Sequence, residues 1–148
     1  MRRSIGFLAI SAFLASCASS GFGSGPRGWK PGNVPGLWVN PQASKQTWIA
    51  AGGPYSGTLS DLASQKTTEV ILNNKALGAK FLNGVPFSRC PAVAGLQTFA
   101  LRSIHMIAEV AFAVQGSRQV TVTYQKLIGD PDDPAAIDAM AANVCALP

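Results

Sequence analysis

A single histidine, His105, is all that this 148-residue chain offers to imidazole chemistry. That excludes a two-histidine metal centre, and without a Gly-x-Ser-x-Gly elbow there is no recognisable nucleophile site either. Charge is also scarce, at 13% of residues. No run of Lys or Arg forms a track, and aromatics do not interleave with basic residues, so nucleic acid is not an expected partner. The seven carboxylates, Asp61, Glu69, Glu109, Asp130, Asp132, Asp133 and Asp138, show no spacing that marks a catalytic pair. The N-terminal apolar run, Ile5 to Leu14, is too short for the roughly 20 residues a membrane-spanning helix needs.

What that short run does fit is a signal peptide. Arg2 and Arg3 supply the positive start, Ile5–Leu14 the apolar core, and Leu14-Ala15-Ser16-Cys17 a lipobox. Residues 1–16 are therefore expected to be removed, with Cys17 becoming a lipidated N-terminus that anchors the protein in the membrane. Removing 16 of 148 residues leaves 132, enough for one domain with its own core. The leader takes two of the twelve basic residues, so ten face seven acidic ones and the formal charge falls from +5 to +3. Ala18 follows the lipidated cysteine where an inner-membrane retention aspartate would stand, so the expected location is extracytoplasmic, on the outer membrane if the source has one.

The remaining cysteines are Cys90 and Cys145, an even pair in an oxidising compartment, which reads as a disulfide. Metal binding and a reactive thiol are the competing readings, and one distant histidine does not complete a zinc set.

Residues 17–36 are rich in Ser, Gly and Pro and read as a flexible tether with a reach of about 25 Å. Trp29 and Phe22 are out of character there. The domain is expected over 37–148. Its opening strands are Leu37–Asn40 and Gln46–Ala51, each with a tryptophan, Trp38 and Trp48. Thr58–Leu77 has helical periodicity behind a Thr58/Asp61 capping pattern. Lys66 falls inside its apolar stripe, where a stem snorkelling past the core edge is the expected role. Asn83-Gly84 predicts a hairpin between Lys80–Leu82 and Val85–Arg89. A strand follows from about Leu96 to Arg102. Ile104–Val114 and Gln119–Lys126 alternate as a hairpin with one covered face, and His105 and Glu109 point away from that face, about 13 Å apart. Asp130-Pro131-Asp132-Asp133-Pro134 lacks EF-hand spacing and reads as a turn into a helix, Pro134–Val144, capped by Asp133.

This order of parts predicts an α+β domain, an antiparallel sheet covered by two helices. From the Trp38 strand pair through the Thr58 helix, the Cys90 strand end, the Ile104–Val114 hairpin and the Cys145-ended helix, it resembles small bacterial lipoproteins with a PsbP-like fold. Proteins of that fold include the extrinsic photosystem subunit PsbP and a Ran-binding nuclear import factor, both accessory proteins rather than enzymes, and no contact motif of either occurs in this chain. An anchor, a flexible reach, a stapled compact domain and no catalytic set together lead to the expectation of a non-catalytic binding or assembly module for an envelope protein partner, with no cofactor and no metal. The second reading is a small-ligand carrier with a pocket between sheet and helix lined by Trp38, Trp48 and Phe112. A hydrolase is a distant third.

Overall fold

The computed structural model describes residues 25–146. The expected signal peptide, the expected lipidation site Cys17 and the expected tether as far as residue 24 lie outside the described residues. Seven strands pair antiparallel throughout: β1 (Lys30–Pro31), β2 (Leu37–Val39), β3 (Thr47–Pro54), β4 (Ala79–Pro86), β5 (Ala94–Leu101), β6 (Met106–Gln115) and β7 (Arg118–Leu127). Their order across the sheet is β1-β2-β3-β7-β6-β5-β4. Helix α1 (Leu59–Asn73) carries the chain from β3 to the far edge, and β4 to β7 then return as a meander until β7 lies against β3. Helix α2 (Pro134–Val144) closes the domain. Among the described residues no helix is long and apolar enough to cross a membrane.

Strand alternation assigns one helix to each face of the sheet. Met106, Ala108, Val110 and Phe112 of β6 turn towards α1, where they pack with Leu62, Phe99 and Leu101. Ala111 and Ala113 point the other way, into a second core made by Trp48, Val122 and Tyr124 beneath Met140 and Val144 of α2. The β6–β7 hairpin was expected to have one covered face, yet it is buried on both. The short side chains of Ala111 and Ala113 leave the room a packed helix needs. Even the polar alternates Gln119, Thr121 and Gln125 are buried.

Both helices start where side-chain chemistry dictates. Thr58 Oγ1 accepts from Asp61 N at 3.1 Å, and Thr58 N donates to Asp61 Oδ2 at 3.1 Å, a reciprocal capping box. These bonds, the Thr58 N–H first, hold the Asp61 carboxyl below its ordinary range. α1 ends at Asn73 rather than running to Leu77. A short 3-10 turn over Lys75–Leu77 follows, closed by Gly78 at φ 70°. At α2, Asp133 Oδ1 caps Ala135 N at 2.9 Å and Pro134 takes the first turn, where its missing N–H leaves nothing unpaired.

Three sequence expectations change. Asn83-Gly84 is not a hairpin turn: β4 runs through it as one strand, with a register shift between Phe81 and Asn83 that marks a bulge. The whole of β4 pairs with β5, and that pairing outweighs the local turn preference of the dipeptide. His105 is not on a strand. It sits at φ 57° after a 3-10 turn (Arg102–Ile104), the one left-handed non-glycine residue among those described. The tether expected over 17–36 does not extend through its second half, because residues 25–36 belong to the domain. Pro26 and Trp29 are buried, and Lys30–Pro31 pairs with β2.

Candidate functional site

The most heavily cross-linked polar site lies where the β7–α2 loop crosses the α2 face of the sheet. Glu109 of β6 and Lys126 of β7 are largely covered there, their side chains 11% and 12% exposed. Lys126 Nζ is 2.6 Å from Asp132 Oδ1 and 3.6 Å from Glu109 Oε2, and it donates to the Asp130 carbonyl at 2.7 Å. Spacing along the chain could not reveal this group, because Glu109 and Asp132 are brought together only by strand pairing and the loop's return. Burial pushes Glu109 up to about 7, and the hydrogen bond and charge of Asp132 add to the effect. Asp132 moves down, held as the charged partner by Glu109 and Lys126 against its own burial. The pair thus shares one proton beside one ammonium, an arrangement close to neutral.

Next to it Tyr124 OH accepts from Asp133 N at 3.0 Å and donates to Gln46 Oε1 at 3.1 Å. Burial, with Asp132, Asp133 and Glu109 nearby, pushes its phenol up to about 12. Asp133 Oδ2 accepts from Trp29 Nε1 at 2.8 Å and from Asn40 at 3.4 Å. The acidic run read as a turn into a helix is therefore a lock: each of its carboxylates is engaged from another element. Among the described residues no group of three or more His, Cys, Asp or Glu could hold a metal ion.

The Glu109 arrangement makes stability depend on pH with a definite sign. Between its ordinary 4.5 and about 7 the unfolded chain releases this proton while the folded chain keeps it. Glu109 therefore contributes fully below 4.5, and that contribution is lost as pH rises through about 7, by about 1–2 kcal/mol once solvent screening is allowed for. Asp132 has the opposite sign, its contribution disappearing as pH falls below 3.8. Thermal midpoints of Glu109→Gln and the parent across this window are the check. The parent should lose stability towards neutral pH and the variant should not.

A second feature is the outer edge of the sheet. β4 is exposed along nearly its whole length, and Phe81, Leu82 and Val85 are 40%, 47% and 45% exposed. Beside it runs a groove of about 530 Å³, walled by Leu59 and Ala63 of α1 and by Val85, Pro86 and Leu96. Its floor depends on Gly95, where a Cβ would come within 2.7 Å of the Phe112 ring. The opposite edge, β1, is two residues long and ends in proline, which blunts it.

The pocket expected between Trp38, Trp48 and Phe112 does not form, because these residues lie on opposite faces. Trp48 is fully buried under α2, its Nε1 donating to Ala136 O at 3.1 Å, and Trp38 packs on that same core. Phe112 belongs to the α1 side. Lys66 also departs from expectation: only 2% exposed, it does not snorkel but meets Glu69 Oε1 at 3.0 Å within the α1 side of the sheet. Cys90 and Cys145 are bridged, with Sγ atoms 2.06 Å apart, which ties the end of α2 to the turn after β4. Arg89 and Asp138 add an exposed ion pair at 2.6 Å beside that bridge.

No family model matches the chain, and no curated protein matches it. Among solved structures it is similar to the solution structure of cyanobacterial PsbP (CyanoP) from Synechocystis sp. PCC 6803. The TM-score is 0.51 and the identity 12%, over 70% of this chain and 72% of that one. A seven-stranded antiparallel sheet with a helix on each face, similar in architecture to CyanoP, gives this chain a PsbP-like α+β fold.

Proposed function

We propose that the protein is a lipid-anchored, extracytoplasmic, non-catalytic module that docks an envelope protein through the β4 edge and the groove beside it. The observation that carries this reading is where the exposed apolar side chains fall. Of the six large ones among the described residues, Leu72, Phe81, Leu82, Val85, Ile104 and Ile128, three lie on one eight-residue edge strand. Exposed apolar surface gathered beside a concave groove is the physical mark of a contact site. Lys80, Lys75 and Arg102 gather at one end of the strand, where Arg102 N donates to Gly78 O at 3.4 Å. The partner that fits is an apolar segment flanked by acid. The bulge and Lys80 discourage open-ended strand pairing with other copies, so a groove-filling side chain is the better match than added sheet. The ionisable cluster around Lys126 is engaged by its own loop, which favours a structural over a catalytic role for it.

Anchoring and docking are tested separately. Mass spectrometry of the mature N-terminus should find acylated Cys17; an intact Met1 would remove the anchor. A photo-crosslinking residue at position 82 in native cells should give one discrete adduct. Val85→Asp and Lys80→Glu should each abolish it, with the fold unchanged by circular dichroism. An adduct indifferent to both substitutions would remove the docking site.

A further inference from the structure

Three of the six large apolar side chains exposed among the described residues lie off β4, and they stand at one end of the sheet. Leu72 in the last turn of α1 is 65% exposed, Ile104 in the β5–β6 turn 41%, and Ile128 just past β7 49%. Backbone bonds join the neighbouring turns into one surface. Arg102 N donates to Gly78 O at 3.4 Å, and Ile128 N donates to His105 O at 2.9 Å. Lys75, Lys80 and Arg102 are exposed on the same segments. No carboxylate interrupts them, because residues 72–82, 100–107 and 127–129 contain neither Asp nor Glu. The flanking acids are engaged elsewhere, Glu69 with Lys66 and Gln65, and Asp130 with Gln46. Single exposed apolar residues need no explanation. Several of them at one end, among cations with no acid between, mark a contact surface.

We infer that this end of the domain lies on a bilayer surface containing anionic phospholipid. Lys75, Lys80 and Arg102 meet the phosphates, and Ile104 and Ile128, with Leu72 at the margin, enter the headgroup boundary. Interfacial binding combines these two terms, apolar side chains leaving water and cations drawn to a negative surface. The start of the described chain favours a membrane as the occupant. Gly25 sits against the Trp38 ring and beside Ala135 in the first turn of α2, a few residues after β7 reaches this end. Cys17 is eight residue steps away, at most about 28 Å when extended. The inference rests on the proposed anchor for this geometry, since an acyl group on Cys17 holds the domain within that distance of lipid. The orientation also leaves the β4 groove open. Its walls at Val85 and Pro86 stand about 15 Å farther along the strand from Lys80, away from the bilayer and free for a protein partner.

The test is co-sedimentation of the mature chain carrying Cys17→Ser, which removes the acylation site. Vesicles are either phosphatidylglycerol and phosphatidylcholine in equal parts, or phosphatidylcholine alone. At low salt the chain should sediment with the anionic vesicles only, and high salt should release it. Lys75→Gln and Arg102→Gln should each weaken partitioning about fivefold. The double variant Ile104→Ser/Ile128→Ser should weaken it tenfold or more. All four positions are exposed, so circular dichroism should show the parent fold in each variant. Val85→Asp should leave vesicle binding intact, which separates this surface from the β4 groove. A Cys17 found without an acyl group in cells would remove the anchor and leave the vesicle result standing. The inference is overturned if the chain ignores anionic vesicles at low salt or binds neutral ones equally. It is also overturned if the Arg102 variant or the double isoleucine variant, correctly folded, binds as the parent does.

Discussion

Trp29→Ala should cost about 3–5 kcal/mol of folding stability, the usual range for removing a large buried aromatic, although Trp29 lies in a stretch whose composition reads as tether. The indole is 6% exposed and meets Tyr124 edge-on, with ring centroids 6.0 Å apart. Its Nε1 donates to Asp133 Oδ2, the same side chain whose other oxygen caps α2. Truncation thus leaves a cavity over Tyr124 and strips the helix cap of its best supporting bond. For a domain of this size the thermal midpoint should fall by more than about 10 °C. Urea unfolding of the parent and the variant measures it. A loss within about 0.5 kcal/mol, as at ordinary surface positions, would mean that residues 25–31 do not pack as described.

The second large effect is at the sulfur bridge. Cys90 and Cys145 are 55 residues apart in sequence, and closing a loop of that length stabilises a chain by about 4 kcal/mol in the chain-entropy model. The double variant Cys90→Ser/Cys145→Ser should lose most of that, and reductant should shift the parent's urea midpoint by a similar amount while leaving the variant's unmoved. The loss should also be uneven. α2 is eleven residues long, too short to hold helical shape without its packing on Trp48 and Tyr124. Amide exchange should therefore accelerate first in α2 and the Cys90 turn, and last in the paired centre of β6 and β7. Uniform acceleration would show that the bridge stabilises the fold as one unit.

Which parts of the chain could be read in advance follows from the range of the forces involved. The Thr58/Asp61 box and the Asp133-Pro134 start depend on residues within one helical turn, and both are where local chemistry puts them. The alternation of Met106, Ala108, Val110 and Phe112 is likewise a property of one strand. Asn83-Gly84 misleads because a turn preference of one dipeptide competes with pairing along the whole of β4. His105 leaves its expected strand because the β5–β6 connection needs a tight reversal, and a left-handed residue supplies one. Trp29 was the visible anomaly in the tether. An aromatic in a Gly/Ser/Pro segment is the signal that could have moved the domain boundary to residue 25.

The candidate sites were less accessible. Lys66 in an apolar stripe was visible as an oddity, but whether its ammonium reached water depended on how deep α1 sits on the sheet. Glu109, Lys126 and Asp132 meet through register and a returning loop. Nothing in their spacing announces it.

Sequence alone determined the α+β class, the helix starts, and the hairpin that forms the middle of the sheet, because each rests on contacts between residues close in the chain. Tertiary structure decided that the helices take opposite faces, that residues 25–36 join the domain, and that Lys66 and Glu109 are buried beside their partners. Those outcomes depend on which distant segments exclude water together, and that is a property of the packed whole.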